Sequence, residues 1–219
     1  MDADDWDTWL REWNQELLAR FDPGAADAFV DPAVTGDVVA SGWLGSPGAT
    51  EADVSELEAR LGTRLPPSYR TFLRASNGFL QPGVIVPRLL GCHDVEWFRV
   101  AHQDTIDAWT QGMSAGGSGA DDVSSFERHL PATLQVSAQE LVGTAVYLLN
   151  PEVVGPDGEW EALYFAHWCP GAERYPSFWE LMQAERENAL AQRRPSPQPS
   201  RLKTYWDTLR WIFRSPSEP

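Results

Sequence analysis

The chain has 219 residues, a length for one decorated domain or two small ones. Hydrophobic residues make up 42% and charged residues 22%, and 11 tryptophans add large apolar surfaces, so wholesale disorder is excluded. The net charge of −15, from 17 basic and 32 acidic residues, repels phosphate and anionic lipid while drawing basic partners inward, which excludes a nucleic-acid-binding body.

In chain order, Trp6, Trp9, Leu10, Trp13 and Leu17 recur at helical spacing behind Asp2, Asp4, Asp5 and Asp7, and predict an amphipathic helix over about 4–20 with its acids at the positive end of the dipole. Residues 21–49 are rich in Gly, Pro, Ala and Asp and read as loop, with one short strand near Val38 to Trp43. Thr50 and Asp53 form a capping box before Val54, Leu57 and Leu61, and Gly62 closes that helix. Pro67 opens the next helix, whose buried stripe is Tyr69, Phe72 and Leu73, and Asn77-Gly78 stops it by accepting left-handed backbone. Short strands are expected at Gly83 to Pro87 and Val95 to Val100, a helix at 101–111 with Ile106 and Trp109 inward, and a flexible glycine-rich loop at 112–122.

Leu141 to Leu149 is apolar on both alternating faces, as a central strand covered on both sides requires. A turn at Asp157-Gly158 leads into Glu159 to Trp168, which sets Trp160, Ala162, Tyr164, Ala166 and Trp168 on one face and predicts an antiparallel hairpin. Ser177 and Glu180 form a capping box for a last core helix bearing Phe178, Leu181, Met182 and Leu190. Residues 1–180 carry 10 basic and 28 acidic side chains, whereas 181–219 carry 7 and 4. A Pro/Ser spacer at 193–200 precedes 201–219, where Leu202, Tyr205, Trp206, Leu209, Ile212 and Phe213 face away from Arg201, Lys203, Arg210 and Arg214 and predict a basic amphipathic helix. Docking of that helix onto the acidic, Trp-rich N-terminal helix is expected.

Cys92 and Cys169 are too few for a disulfide framework and suit a reducing compartment. No basic leader opens the chain, and the longest apolar run is far shorter than the roughly 20 residues a spanning helix needs, so a cytoplasmic protein is expected. His167 and Cys169 share a strand face without being a nucleophilic pair, and Cys92, His93, His102 and Cys169 lack the close spacing of zinc ligands. His93-Asp94 has no earlier histidine with which to build a metal hydrolase site, and Gly116 to Gly119 has no phosphate-gripping continuation. No catalytic residue, cofactor or metal is expected.

The run VSELEARLGTRLPPSYRTFLRASNG from Val54 to Gly78 resembles the N-terminal signature of the SUKH superfamily, through Leu61-Gly62, Leu65-Pro66, Tyr69, Phe72-Leu73 and Asn77-Gly78. The resemblance continues to Ser177-Phe178 in SFWEL, and so covers about 50–190. It implies an α+β domain over 50–192, a mostly antiparallel sheet flanked by helices, with the N-terminal helix and loop of 1–49 and the basic C-terminal helix as additions. It also implies a non-catalytic protein-binding role: bacterial relatives are regarded as immunity factors against polymorphic toxins, often nucleases or deaminases, and fungal ones as regulators of cell-wall assembly. One lysine against 16 arginines suits a high-GC bacterium.

A carboxylate-rich inhibitor gains association rate and specificity against a basic toxin. The expected docking patch combines Asp94, Glu96, Asp104, Asp107, Asp121 and Asp122 with the rigid anchors Trp97 and Trp109. The first reading is therefore stoichiometric neutralisation of a toxin, and the alternative is a scaffold for endogenous proteins.

Overall fold

The computed structural model describes residues 2–19, 31, 33–83, 85–104, 106–107, 128–139, 145–166 and 171–192. Helix α1 (Ala3–Leu18) starts at Asp2, whose carboxylate accepts from the N–H groups of Asp4 and Asp5 while Asp5 accepts from the N–H of Asp2. Its stripe of Trp6, Leu10, Trp13 and Leu17 is buried. Helix α2 (Gly36–Ser41) replaces the strand expected near Val38 to Trp43. Thr35 caps it by accepting from the Val38 N–H, and Gly42 ends it at φ 72°, so local capping overrides the strand preference of Val38 and Val39.

Helix α3 (Glu51–Leu61) keeps the expected Thr50–Asp53 box, and Gly62 closes it at φ 71°. Helix α4 (Pro67–Ala75) buries Tyr69, Phe72 and Leu73. Its stop differs from the expectation: Ser76 leaves the helix in extended backbone, and of Asn77-Gly78 only Gly78 has positive φ, at 106°. Asn77 instead accepts the Cys92 N–H on its Oδ1 at 2.7 Å and so ties the helix exit to a distant loop.

Strands β1 (Phe79–Leu80) and β2 (Arg88–Leu89) form a two-stranded antiparallel sheet, and the strand expected at 83–87 lies in the connection between them. Gln81 turns the chain there at φ 55°, and its N–H donates to the Pro87 carbonyl at 2.7 Å. Strand β3 (Glu96–Trp97) is shorter than expected, because helix α5 (Phe98–Ala101) begins immediately after it. Residues 103–104 and 106–107 are helical, with Ile106 buried as expected. A 3₁₀ turn (Leu130–Ala132) leads to β4 (Leu134–Gln135), followed by β5 (Val146–Val154), β6 (Trp160–Phe165), β7 (Ala172–Tyr175) and helix α6 (Phe178–Gln192).

These last strands build a five-stranded antiparallel sheet in the order β3-β4-β5-β6-β7, with β5 at its centre. Tyr147 pairs with Tyr164 and Leu149 with Ala162 across the expected hairpin, so a two-residue period sends alternate side chains to opposite faces. On one face Tyr147, Leu149, Trp160, Ala162, Tyr164 and Ala166 join the apolar stripes of α1, α3, α4 and α6. On the other, Val146, Leu148, Leu163 and Phe165 meet Phe98, Ile106 and Leu130. The fold is therefore α+β, with helices packed on an antiparallel sheet.

The added N-terminal helix is part of the main core. Trp6 lies edge-on to Phe72 and Trp179, and Arg186 of α6 donates to Glu16 of α1 at 2.8 and 2.9 Å while sitting over the Trp9 ring. The glycine-rich segment 112–122, Trp168 and the segments 193–200 and 201–219 lie outside the described residues.

Candidate partner-binding surface

Asp94 is exposed at the approach to β3, and Asp104 and Asp107 are exposed on the helical residues beyond α5. Glu96 is held by an ion pair with Arg60 at 3.1 Å, and the same guanidinium donates to the Cys92 carbonyl at 2.8 Å. Trp97 is half-buried: its ring packs on the main core, and Arg99 sits 5.3 Å from its centre. Trp97 thus serves the core and carries a cation over its ring. Asp107 accepts from Gln103 at 2.9 Å. Trp109, Asp121 and Asp122 lie outside the described residues.

The polar face of α1 adds exposed Asp4, Asp5 and Glu12, whereas its apolar stripe is already covered by the domain's own core. The expected partner of that stripe, the segment 201–214, lies outside the described residues.

Sequence reasoning missed a second acidic feature. A cleft of about 300 Å³ lies between the β5–β6 turn and the first turns of α4 and α6, lined by Ser68, Asp157, Glu159, Trp179 and Glu180 with Pro67, Pro156 and Pro176. Helix α4 begins at Pro66, which has no side-chain cap to offer, and Glu159 supplies one from the hairpin. Its carboxylate accepts from the N–H and the hydroxyl of Ser68, each at 2.7 Å. Ser177 caps α6 in a modified form of the expected box, accepting from the Trp179 N–H at 3.1 Å and donating its hydroxyl to the Glu180 carboxylate. Burial, reinforced by Asp157 and Glu180, pushes the Glu159 carboxyl above its ordinary range despite the opposing bonds from Ser68. The only one-dimensional signal was the pair of helix starts, and nothing in the pattern joins position 68 to position 159.

The Cys92 thiol is buried and its pKa is raised by desolvation, the opposite of an activated nucleophile. Burial lowers the His102 pKa, and its ring shares a 2.8 Å hydrogen bond with Gln135. Among the described residues, no group of three or more His, Cys, Asp or Glu is placed to hold a metal ion, and no helix is long and apolar enough to cross a membrane. His167 and Cys169 lie outside the described residues.

A search of curated proteins finds no match to the chain. Residues 48–184 match the SMI1 / KNR4 family (SUKH-1), a span that holds α3, α4, both sheets and the start of α6, together with Leu61-Gly62, Leu65-Pro66 and Ser177-Phe178. With more than half of its length matched on the α+β core just described, this chain belongs to the SMI1 / KNR4 (SUKH-1) family.

Proposed function

We propose that this protein is an immunity factor that neutralises a cognate toxin by stoichiometric binding through its acidic surface, without catalysis of its own. The reading is carried by the exposure of Asp94, Asp104 and Asp107, which flank the half-buried Trp97 in sequence, on a domain of the SMI1 / KNR4 family (SUKH-1). A net charge of −15 gives long-range attraction to a basic nuclease or deaminase, and the half-buried Trp97 supplies a short-range anchor. The cytoplasm, where a self-directed toxin would act, is the fitting compartment.

The test is affinity capture with the tagged full chain from its native bacterium, followed by identification of proteins retained at a one-to-one ratio. A polymorphic-toxin C-terminal domain that is lost when Asp94, Asp104 and Asp107 are reversed to lysine is the expected result. A housekeeping protein retained regardless of those charges overturns the immunity reading in favour of a regulatory scaffold.

A further inference from the structure

We infer that Asn77 is a spontaneous deamidation site whose reaction is gated by its own tie to the Cys92 N–H: the folded chain holds the site closed, and release of the loop at 91–95 opens it. The inference stands on the fold and is independent of the partner reading.

Asn77 is the one asparagine of the chain that is followed by glycine, whereas Asn14, Asn150 and Asn188 precede Gln15, Pro151 and Ala189. The distinction matters because deamidation begins with attack of the following peptide nitrogen on the asparagine Cγ. Gly78 has no Cβ to obstruct that approach, and Pro151 has no N–H to give up. A bond forms between the Gly78 nitrogen and Cγ of Asn77, the Cγ–Nδ2 bond breaks, and ammonia leaves with the proton of the peptide nitrogen. Water then opens the five-membered imide at one carbonyl or the other. The product is aspartate or, with Cβ inserted into the main chain, iso-aspartate, and water is the only co-reactant.

The fold restrains both reacting groups. Asn77 accepts the Cys92 N–H on Oδ1 at 2.7 Å. Gly91 packs against it so closely that a Cβ there would lie 2.8 Å from the same oxygen and 2.7 Å from the Asn77 carbonyl oxygen. While the loop is in place, the carboxamide has no room to swing its Cγ over the next nitrogen. That nitrogen is engaged as well: the Gly78 N–H donates to the Ser76 carbonyl at 2.9 Å, on a buried residue whose own carbonyl accepts from the Ser76 hydroxyl at 2.6 Å. Arg60 fastens the loop from its other side by donating to the Cys92 carbonyl at 2.8 Å. Opening of such a loop is a local event, so the rate in the folded chain is the intrinsic rate scaled by the open fraction. Iso-aspartate adds a main-chain atom at the junction of α4 and β1 and displaces the acceptor of the Cys92 N–H, so each opening that reacts is recorded irreversibly.

The experiment ages the full chain at mildly alkaline pH, following deamidation at position 77 by peptide mass mapping and opening of the tie by hydrogen exchange of the Cys92 amide. The same chain unfolded in urea is the reference, and deamidation in the folded chain is expected to be slower by about tenfold or more. Gly91→Ala, which pushes Asn77 off its partner, and Arg60→Ala, which frees the loop without touching Asn77, are expected to speed Cys92 exchange and Asn77 deamidation by the same factor. Arg60 is exposed, so Arg60→Ala keeps the test available if Gly91→Ala does not fold. Equal deamidation in the folded and unfolded chain, a change in one of the two rates without the other, or no change in either rate in the folded variants overturns the inference.

Discussion

The carboxylate of Glu159 and the backbone N–H and hydroxyl of Ser68, 91 positions apart in sequence, are joined by two 2.7 Å hydrogen bonds that fasten the β5–β6 hairpin to the start of α4. Glu159→Ala leaves the Ser68 N–H without its cap and is expected to cost about 1–2 kcal/mol, measured by urea denaturation. Glu159→Gln keeps an acceptor and a donor for Ser68 and separates charge from hydrogen bonding.

The pH dependence of that pair has a definite sign. Burial, with Asp157 and Glu180, raises the Glu159 carboxyl in the folded state, so the folded chain binds this proton more tightly than the unfolded chain does. Its contribution to stability falls as pH rises from the unfolded value of about 4.3 through the higher folded value, and is level beyond it. Urea midpoints measured from about pH 4 upward are expected to show this fall in the wild type and its loss in Glu159→Gln.

Trp6 is fully buried between Phe72, Phe178 and Trp179, and its indole N–H has no hydrogen-bond acceptor among the described residues. Trp6→Ala is expected to destabilise by about 3–5 kcal/mol through lost contact and the cavity left behind. Trp6→Phe retains an aromatic ring and removes the unsatisfied donor, so it is expected to cost clearly less. Thermal denaturation of both variants checks the order.

Gly48 admits no side chain, because a Cβ there would lie 2.0 Å from the Arg74 carbonyl oxygen, which is rigid backbone. Gly48→Ala is expected to destabilise by about 1–3 kcal/mol. Gly36→Ala is the control: a Cβ at that position meets nothing within 4 Å, and the substitution is expected to be neutral or mildly stabilising by thermal melting.

Reversal of Asp94, Asp104 and Asp107 to lysine alters exposed positions and is expected to leave the melting midpoint unchanged. The association rate with a basic partner is expected to fall by about tenfold or more, with a weaker salt dependence, because steering acts on encounter. Stopped-flow association at several ionic strengths measures both. Glu96→Gln, which releases Arg60, is the contrasting variant and is expected to alter the rate much less.

The helices and the central hairpin were legible in the sequence because their signals are local. Thr50 and Asp53 are three residues apart, Gly62 meets the requirement for positive φ, and the apolar stripes of α1, α3 and α4 follow from one helical period. The two-residue alternation of β6 likewise assigned Trp160, Ala162 and Tyr164 to one face before any partner was known. The short elements were not legible. Two-residue strands such as β2 and β3 are defined by the neighbour they bond to, and α2 formed over Val38 and Val39 because its caps outweighed their preference for strand.

The sequence alone therefore determined the fold class, the family signature and the sign of the surface charge, since composition, period and capping act over a few residues. Only the tertiary structure decided which acids are free to meet a partner. It committed Glu96 to Arg60 and Glu16 to Arg186, left Asp94 and Asp104 exposed, and gathered Asp157, Glu159 and Glu180 around one cleft. The physical reason is that a carboxylate's role depends on what packs beside it, and Ser68 and Glu159 become neighbours only when the hairpin closes over the helices.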